Sequence, residues 1–131
     1  MVPVIKTSDV KTILHLVNLL NPTEKTKEVG QLMREIHRAR TVPDNEMPGG
    51  VIQLNSHFEI RFAESGQVIA MKLVTPKYAD ISQQKLSLFS PLGVALIGFR
   101  EGESVEWSLP GGTRSIEILK VNDPESVPVS Q

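Results

Sequence analysis

One stretch, LSLFSPLGVALIGFREGESVEWSLPGG at residues 86–112, constrains the fold of this chain more than any other. Leu86 and Leu88 flank a polar residue, and this period of two predicts a strand with one buried face. Ser90 is a suitable N-cap, and Pro91 suits the first position of a helix. A strand that leads directly into a helix is therefore predicted here.

The predicted helix after Pro91 is short and apolar on nearly every side, and such a helix must be buried. It should end at Gly98, a typical C-terminal glycine. A second strand with apolar residues at alternate positions follows at 104–109, and a Pro-Gly-Gly turn at 110–112 leads into a third. These elements predict the centre of a small α+β domain. The inward residues of the third strand are predicted to be Ile116, Ile118 and Val121.

Two amphipathic helices are predicted ahead of this domain. Apolar residues recur at spacings of three and four over residues 8–20. The sequence Asn-Pro-Thr-Glu at 21–24 has the form of a capping box and predicts a second helix that runs to about Arg40. The two helices should pack as a short antiparallel hairpin, with Gly30 where the first helix approaches closely.

Residues 41–50 hold two prolines and two glycines without periodicity, which predicts a linker. We therefore divide the chain into three parts. Residues 1–46 form the helical hairpin and linker, residues 47–122 form the sheet domain, and residues 123–131 form a flexible tail.

A strand hairpin opens the predicted sheet domain. Apolar and charged residues alternate over 58–62, and the turn at 64–66 returns the chain as a second strand. The pattern of the returning strand leaves two inward sets open, one that begins at Val68 and one that begins at Ile69.

Composition limits the function classes. The net charge of −1 offers no basic surface for nucleic acid. The absence of cysteine excludes disulfides and thiolate sites and fits a reducing cytoplasm. No apolar run reaches the roughly 20 residues that a membrane span needs. We expect a soluble, cytoplasmic monomer without a membrane partner and without sequence-specific nucleic-acid binding.

No motif predicts catalysis. His15, His37 and His57 lack the spacing and the acidic partners of a zinc site. No serine lies in a G-x-S-x-G elbow, and the glycine pairs lack the lysine of a phosphate loop. We expect no catalytic residue, no metal site and no cofactor.

The ordered series of motifs resembles the C-terminal domain of the bacterial transcript cleavage factors, the Gre factors. The shared series consists of the Ser-Pro helix start, the glycine after the helix, the charged turn and the Pro-Gly-Gly hairpin. The resemblance covers residues 46–121 and implies an FKBP-like antiparallel sheet domain with one short buried helix. The upstream segment is closer still to a short relative, the regulator of nucleoside diphosphate kinase, in Glu46, Met47, Pro48, Val51, Asn55 and Ser56.

The resemblance implies that the protein docks on RNA polymerase, but the predicted helical hairpin lacks what transcript cleavage requires. Gre factors place acidic residues at the tip of a long helical hairpin in the secondary channel of the polymerase, where they help to hold a metal ion. The tip predicted here, residues 20–24, offers one carboxylate, whereas Mg²⁺ usually needs one or two plus further oxygen ligands. A second helix of about 18 residues would extend about 27 Å, much less than the arm of the family. We therefore expect a non-catalytic regulator that binds near the channel and competes with cleavage factors.

The resemblance also implies a polymerase-binding surface, made by a loop and by the start of the Ser-Pro helix. Asp80 keeps the aspartate of the family, but the acidic residues ahead of it are replaced. Alternatively, Asp80 only caps a turn and Ser90 only starts a helix. The residues that match the surface are Tyr78, Ala79, Asp80, Ser90 and Pro91.

Two other function classes remain open. A generic protein-interaction module with a different partner would have the same composition. A peptidyl-prolyl isomerase is suggested by the fold name alone, but such enzymes line their pocket with many aromatic side chains. This chain has only four Phe, one Tyr and one Trp, and most of them fall on predicted strands.

Overall fold

The structure is a computed structural model that describes residues 2–109 and 111–124. The predicted turn residue Pro110 and the predicted tail from residue 125 onward lie outside this part. The helices and strands, in chain order, are β1 (Val4–Lys6), α1 (Thr7–Asn18), α2 (Lys27–Arg38), β2 (Arg40–Val42), β3 (His57–Phe62), β4 (Val68–Val74), β5 (Lys85–Ser87), α3 (Pro91–Leu96), β6 (Ser104–Leu109) and β7 (Gly112–Asn122).

The main sheet has five strands in the order β5-β4-β3-β7-β6. Its neighbours are antiparallel except for β4 and β5, which run parallel. The α+β fold class is confirmed, and the sheet is mixed. The parallel pair arises because the chain leaves the end of β4, passes through two short 3₁₀ turns and returns to the start of β5.

The predicted inward faces of the strands agree with the structure. In β4, Leu73 is buried while Val68 is 49% exposed, so the inward set is the one that begins at Ile69. Ile118 and Val121 both face inward although three positions separate them, because a β-bulge between Glu59 and Ile60 shifts the register of β3 and β7.

The second helix is shorter than the sequence predicts. The capping box of Asn21 and Glu24 is present, but it closes a separate 3₁₀ turn. The chain then breaks, and the Thr26 hydroxyl accepts a hydrogen bond from Val29 N at 3.3 Å to cap α2. A second cap residue so soon after the first ends the turn and restarts the helix. The 12 residues of α2 therefore span about 18 Å.

Two further expectations for this region are wrong. The linker was predicted to begin at residue 41, yet β2 includes residues 41 and 42 and pairs in parallel with β1. Gly30 is not at a close helix contact, since a Cβ placed there would meet only Arg34 Nη1, at 3.9 Å.

The N-terminal elements pack on the sheet and on α3. Buried residues from α1, α2, α3 and the main sheet form one hydrophobic cluster, and α2 lies against α3. The backbone of Val4 donates to Gly98 O at 2.9 Å, just beyond the end of α3. Gly98 has φ +87°, and a Cβ there would lie 2.6 Å from Pro3 Cβ, so this contact requires glycine.

A buried carboxylate ties α1 to the start of the sheet region. Asp9 is 7% exposed, and its Oδ2 accepts a hydrogen bond from Leu54 N at 3.2 Å. Burial raises the pKa of Asp9 above its ordinary value. Among the described residues, no helix combines the length and the hydropathy that crossing a membrane requires.

Candidate functional site

The outer edge of β5 is closed by two residues of the predicted polymerase-binding surface. Asp80 forms an antiparallel bridge with Lys85. Lys85 N donates to Asp80 O at 2.9 Å, and Asp80 N donates to Lys85 O at 3.0 Å. The backbone groups of Lys85 that point away from β4 are therefore satisfied by the loop.

Ser90 closes the same edge at the other end of β5. Its backbone N–H and its hydroxyl both donate to Ser87 O, at 3.0 and 2.7 Å. The hydroxyl oxygen also accepts from Gly93 N at 3.0 Å, so Ser90 is the N-cap of α3, as predicted. A side chain at Gly93 would collide with Ser87 O, which explains why the first turn of this helix contains glycine.

The structure thus brings Asp80 and Ser90 to one edge of one strand. Their partners on β5, Lys85 and Ser87, are two residues apart and hence about 7 Å apart along the strand. The other three residues of the predicted surface are also accessible: Tyr78 is 61% exposed, and Ala79 and Pro91 are exposed.

The Asp80 carboxylate is held in a fixed position and kept ionised. Its Oδ1 accepts from Ser82 N at 3.0 Å and from Ser82 Oγ at 2.6 Å. These hydrogen bonds lower the pKa of Asp80 below its ordinary value, and the bond from the Ser82 hydroxyl has the largest effect. Asp80 does cap the turn that follows it, and its charge stays at the protein surface.

One exposed apolar residue beside Asp80 was missed by the sequence analysis. Ile81 is 68% exposed, the same fraction as the most exposed large apolar residue elsewhere in the described chain, Leu19. Tyr78 lies on the other side of Asp80, with Lys77 Nζ 5.6 Å from the centre of its ring. No periodic pattern marks a single apolar residue in a polar loop, so the sequence held no signal for Ile81.

The polar side chains at the tip between α1 and α2 stabilise the turn itself. Glu24 Oε1 accepts a hydrogen bond from Asn21 N at 3.0 Å, and Asn21 Oδ1 accepts from Glu24 N at 3.2 Å. The single carboxylate of the tip is thereby engaged in its own turn. Throughout residues 2–109 and 111–124, no group of three or more His, Cys, Asp or Glu side chains could hold a metal ion. The three histidines, at positions 15, 37 and 57, are all exposed.

Comparison with known proteins finds similarity over most of the chain. The family model described as "Transcription elongation factor, GreA/GreB, C-term" matches residues 47–123. The regulator of nucleoside diphosphate kinase of Escherichia coli strain K12 is 37% identical over 91 residues, which are 69% of this chain and 67% of that protein. The transcription elongation factor GreA of Syntrophobacter fumaroxidans is 32% identical over 95 residues, which are 72% of this chain and 61% of that protein.

A solved structure is similar over nearly the whole chain. It is the prokaryotic transcription elongation factor GreA/GreB from Nitrosomonas europaea, with a TM-score of 0.75 and 30% identity. The match covers 94% of this chain and 99% of that one. The similarity therefore includes the N-terminal helices as well as the sheet.

Proposed function

Because this chain belongs to the transcription elongation factor family that shares the GreA/GreB C-terminal domain, we propose that it regulates transcription by binding RNA polymerase. The binding surface is the closed outer edge of β5, with Tyr78, Ala79, Asp80, Ser90 and Pro91. The position is near the secondary channel, where the protein competes with cleavage factors. The observation that supports this proposal most strongly is the common edge that Asp80 and Ser90 share.

The chemistry of the surface suits a basic, partly apolar partner. Asp80 supplies an ionised carboxylate on a loop fixed by backbone hydrogen bonds, and such a group makes strong charge-assisted bonds with arginine. Tyr78 and Ile81 supply apolar area on either side of it. Hot spots in protein interfaces often combine a buried aromatic side chain with a charge-assisted hydrogen bond.

The proposed role is non-catalytic. A helix of about 18 Å places the tip close to the sheet, and the carboxylate of the tip already holds its own turn. The protein would therefore act by occupying the channel rim and would not supply a ligand to a metal ion. Because the proposed partner is RNA polymerase, we expect the protein in the cytoplasm.

Binding of the purified full chain to purified RNA polymerase tests this proposal. Asp80→Asn keeps an oxygen that can accept from Ser82 N, so the turn is preserved while the charge is lost. We expect affinity to fall about 10- to 100-fold, the value of one charge-assisted hydrogen bond. Unfolding stability measured on the same samples confirms that the loop is intact.

Glu64→Gln is the matched control. This substitution also removes one negative charge. Glu64 lies in the β3–β4 turn, where its Oε2 is 3.3 Å from Arg114 Nη1. Its variant should bind polymerase as the natural protein does. Equal binding by the Asp80→Asn variant, or equal loss in both variants, would contradict the proposed surface.

A further inference from the structure

A groove lies at the opposite edge of the main sheet, beside β6. Its volume is about 760 Å³, and α2 and β6 form its two walls. The floor is apolar. It consists of Val94 and Ala95 from α3 and of Phe99, which follows that helix. The proposed polymerase surface lies mainly at the β5 edge and shares only Pro91 with this groove.

The backbone of β6 directs hydrogen-bonding groups away from β7. Ser115 O accepts from Ala63 N at 3.0 Å, so the polar backbone groups of Ser115 point toward β3. In an antiparallel pair, the N–H and C=O groups of the residue opposite such a position also point away from the partner strand. Glu106 is opposite Ser115, and Ser104 and Ser108 occupy the equivalent positions two residues away on either side.

These outward groups have no partner in the described part of the chain. Within residues 2–109 and 111–124, no hydrogen bond reaches the backbone N–H or C=O groups of Ser104, Glu106 or Ser108 on this side. All three residues line the groove. A row of unpaired donors and acceptors is a template for one more strand.

A buried side-chain donor also lines the groove. Trp107 Nε1 is buried and has no hydrogen-bond partner among the described residues. The ring itself is half-buried and packs on Phe62, with 6.3 Å between the ring centres. A buried donor without a partner is costly, so an acceptor that arrives with a ligand would be favoured here.

We propose that the groove binds an extended peptide segment of another protein, which adds to the sheet as a sixth strand beside β6. Backbone bonds to Ser104, Glu106 and Ser108 would supply affinity, as in other cases of strand addition. Side chains at alternate positions of the peptide would meet the apolar floor, so those positions should be apolar.

The charges of the two walls define the peptide further. The α2 wall carries three basic side chains, Lys27, Arg34 and Arg38, and two acidic ones, Glu28 and Glu35, which leaves an excess of one positive charge. The β6 wall presents the exposed Glu106. An acidic side chain that faces α2, and a basic one beside Glu106, would complement both walls. The groove therefore favours a segment that carries both signs over a uniformly acidic or basic one.

A second copy of this chain is the less favourable occupant of the groove. Pairing of two β6 edges would require each sheet to enter a groove that is already walled by α2 of the other copy. A single extended segment has no such obstacle. The partner is thus an isolated strand and not the edge of a folded sheet.

Selection of peptides on the full chain tests this inference. The probe is a phage-displayed library of random peptides of about eight residues, which is enough to span β6. Enriched peptides are synthesised, and their affinity is measured by calorimetry and by the fluorescence of Trp107, the single tryptophan. We expect apolar residues at alternate positions and a change in tryptophan emission on binding.

Glu106→Pro identifies the site of binding. Proline removes an N–H that points into the groove and leaves the ladder between β6 and β7 in place. We expect at least about a tenfold loss of affinity. Glu106→Thr, the matched control, removes the same charge and keeps the N–H, so it should retain strand addition with a loss below about threefold.

Ala95→Arg provides a second variant that leaves β6 unchanged. Ala95 is half-buried on the groove floor, so an arginine side chain there would obstruct the groove. We expect this variant to lose peptide binding as well. Binding as tight as that of the natural protein in either variant would overturn the inference, as would a failure to enrich any peptide. Sedimentation that shows a dimer abolished by Glu106→Pro would assign the edge to a second copy and would also overturn it.

Discussion

The two edges of the main sheet are finished in different ways. The β5 edge is closed by the protein itself at Lys85 and at the carbonyl group of Ser87, through hydrogen bonds with Asp80 and Ser90. The β6 edge has no partner strand among residues 2–109 and 111–124, and along Ser104, Glu106 and Ser108 it faces a groove. A closed edge can recognise a partner only with its side chains, whereas an open edge can also recognise the backbone of a partner. Under our two proposals, the same sheet offers two kinds of binding surface.

The open edge is protected without being paired. Unprotected edge strands promote aggregation, and natural proteins guard them with charged residues or with a covering element. Here α2 stands across the groove, and Glu106 places a charge in the middle of β6. Because α2 flanks the groove, a folded sheet that approached β6 would meet this helix, so we expect an extended segment to enter more easily.

The largest expected effect on this comparison comes from Gly93→Ala. The new methyl group would collide with Ser87 O and approach Leu73 Cδ1 at 3.3 Å, so the closed edge would have to move. We expect unfolding free energy to fall by about 3 kcal/mol in chemical denaturation. Loss of polymerase binding should accompany it. An unchanged stability would show that the β5 edge is looser than the contacts of Ser90 indicate.

Proline substitution compares the two edges directly. Lys85→Pro removes the N–H that bonds Asp80 O, and we expect a loss of about 2 kcal/mol in unfolding free energy. Glu106→Pro removes an N–H that has no partner in the part of the chain that the structure describes, and we expect a loss below about 1 kcal/mol. Equal losses at the two positions would contradict the distinction between a closed and an open edge.

A smaller effect tests whether α1 is fixed through Asp9. Its folded-state pKa is raised by burial, so the folded state binds a proton more tightly than the unfolded state. Ionised Asp9 therefore lowers stability at neutral pH, and this cost disappears as the pH falls through the raised pKa toward the ordinary value of 3.8. Relative to Asp9→Asn, the natural protein should gain stability between pH 7 and pH 4, as measured by denaturation at each pH.

Asp44→Asn is the control with the opposite sign. Hydrogen bonds from Ser8 lower the pKa of Asp44, so its contribution is present above its unfolded pKa of about 3.8 and is lost as the pH falls through the lowered value. Relative to the Asp44→Asn variant, the natural protein should therefore lose stability on acidification. The same sign for both positions would contradict the burial of Asp9.

The smallest expected effect is a gain in unfolding free energy from a substitution in α2, the helix that forms one wall of the groove. Gly30 lies within α2, and an alanine side chain there would meet only the end of Arg34, at 3.9 Å. Gly30→Ala should raise unfolding free energy by about 0.5 to 1 kcal/mol, through helix propensity. Thermal denaturation measures this, and a decrease would mean that α1 approaches α2 more closely than described.

Sequence alone predicted the features that depend on neighbouring residues. The cap at Ser90, the left-handed glycine at position 98 just after α3 and the inward residues of β7 all follow from local spacing, and the structure confirms them. The family relation was also readable, because the motifs of the Ser-Pro helix and the hairpin occur in a fixed order.

Features that depend on distant partners were not readable. β1 and β2 are strands of three residues whose pairing joins positions 36 apart, and so short a strand has no detectable period. The open edge of β6 depends on which strand ends the sheet. The roles of Asp80 and Ser90 at one edge depend on β5 running parallel to β4, which no local pattern specifies.

Competition for RNA polymerase is the most direct test of the central claim that the closed β5 edge binds at the channel rim. Polymerase carrying a labelled Gre cleavage factor is titrated with the full chain, and bound label is measured. The natural protein should displace the factor, and Asp80→Asn should need about 10- to 100-fold more protein for the same displacement. No displacement by the natural protein, or equal displacement by both, would contradict the claim.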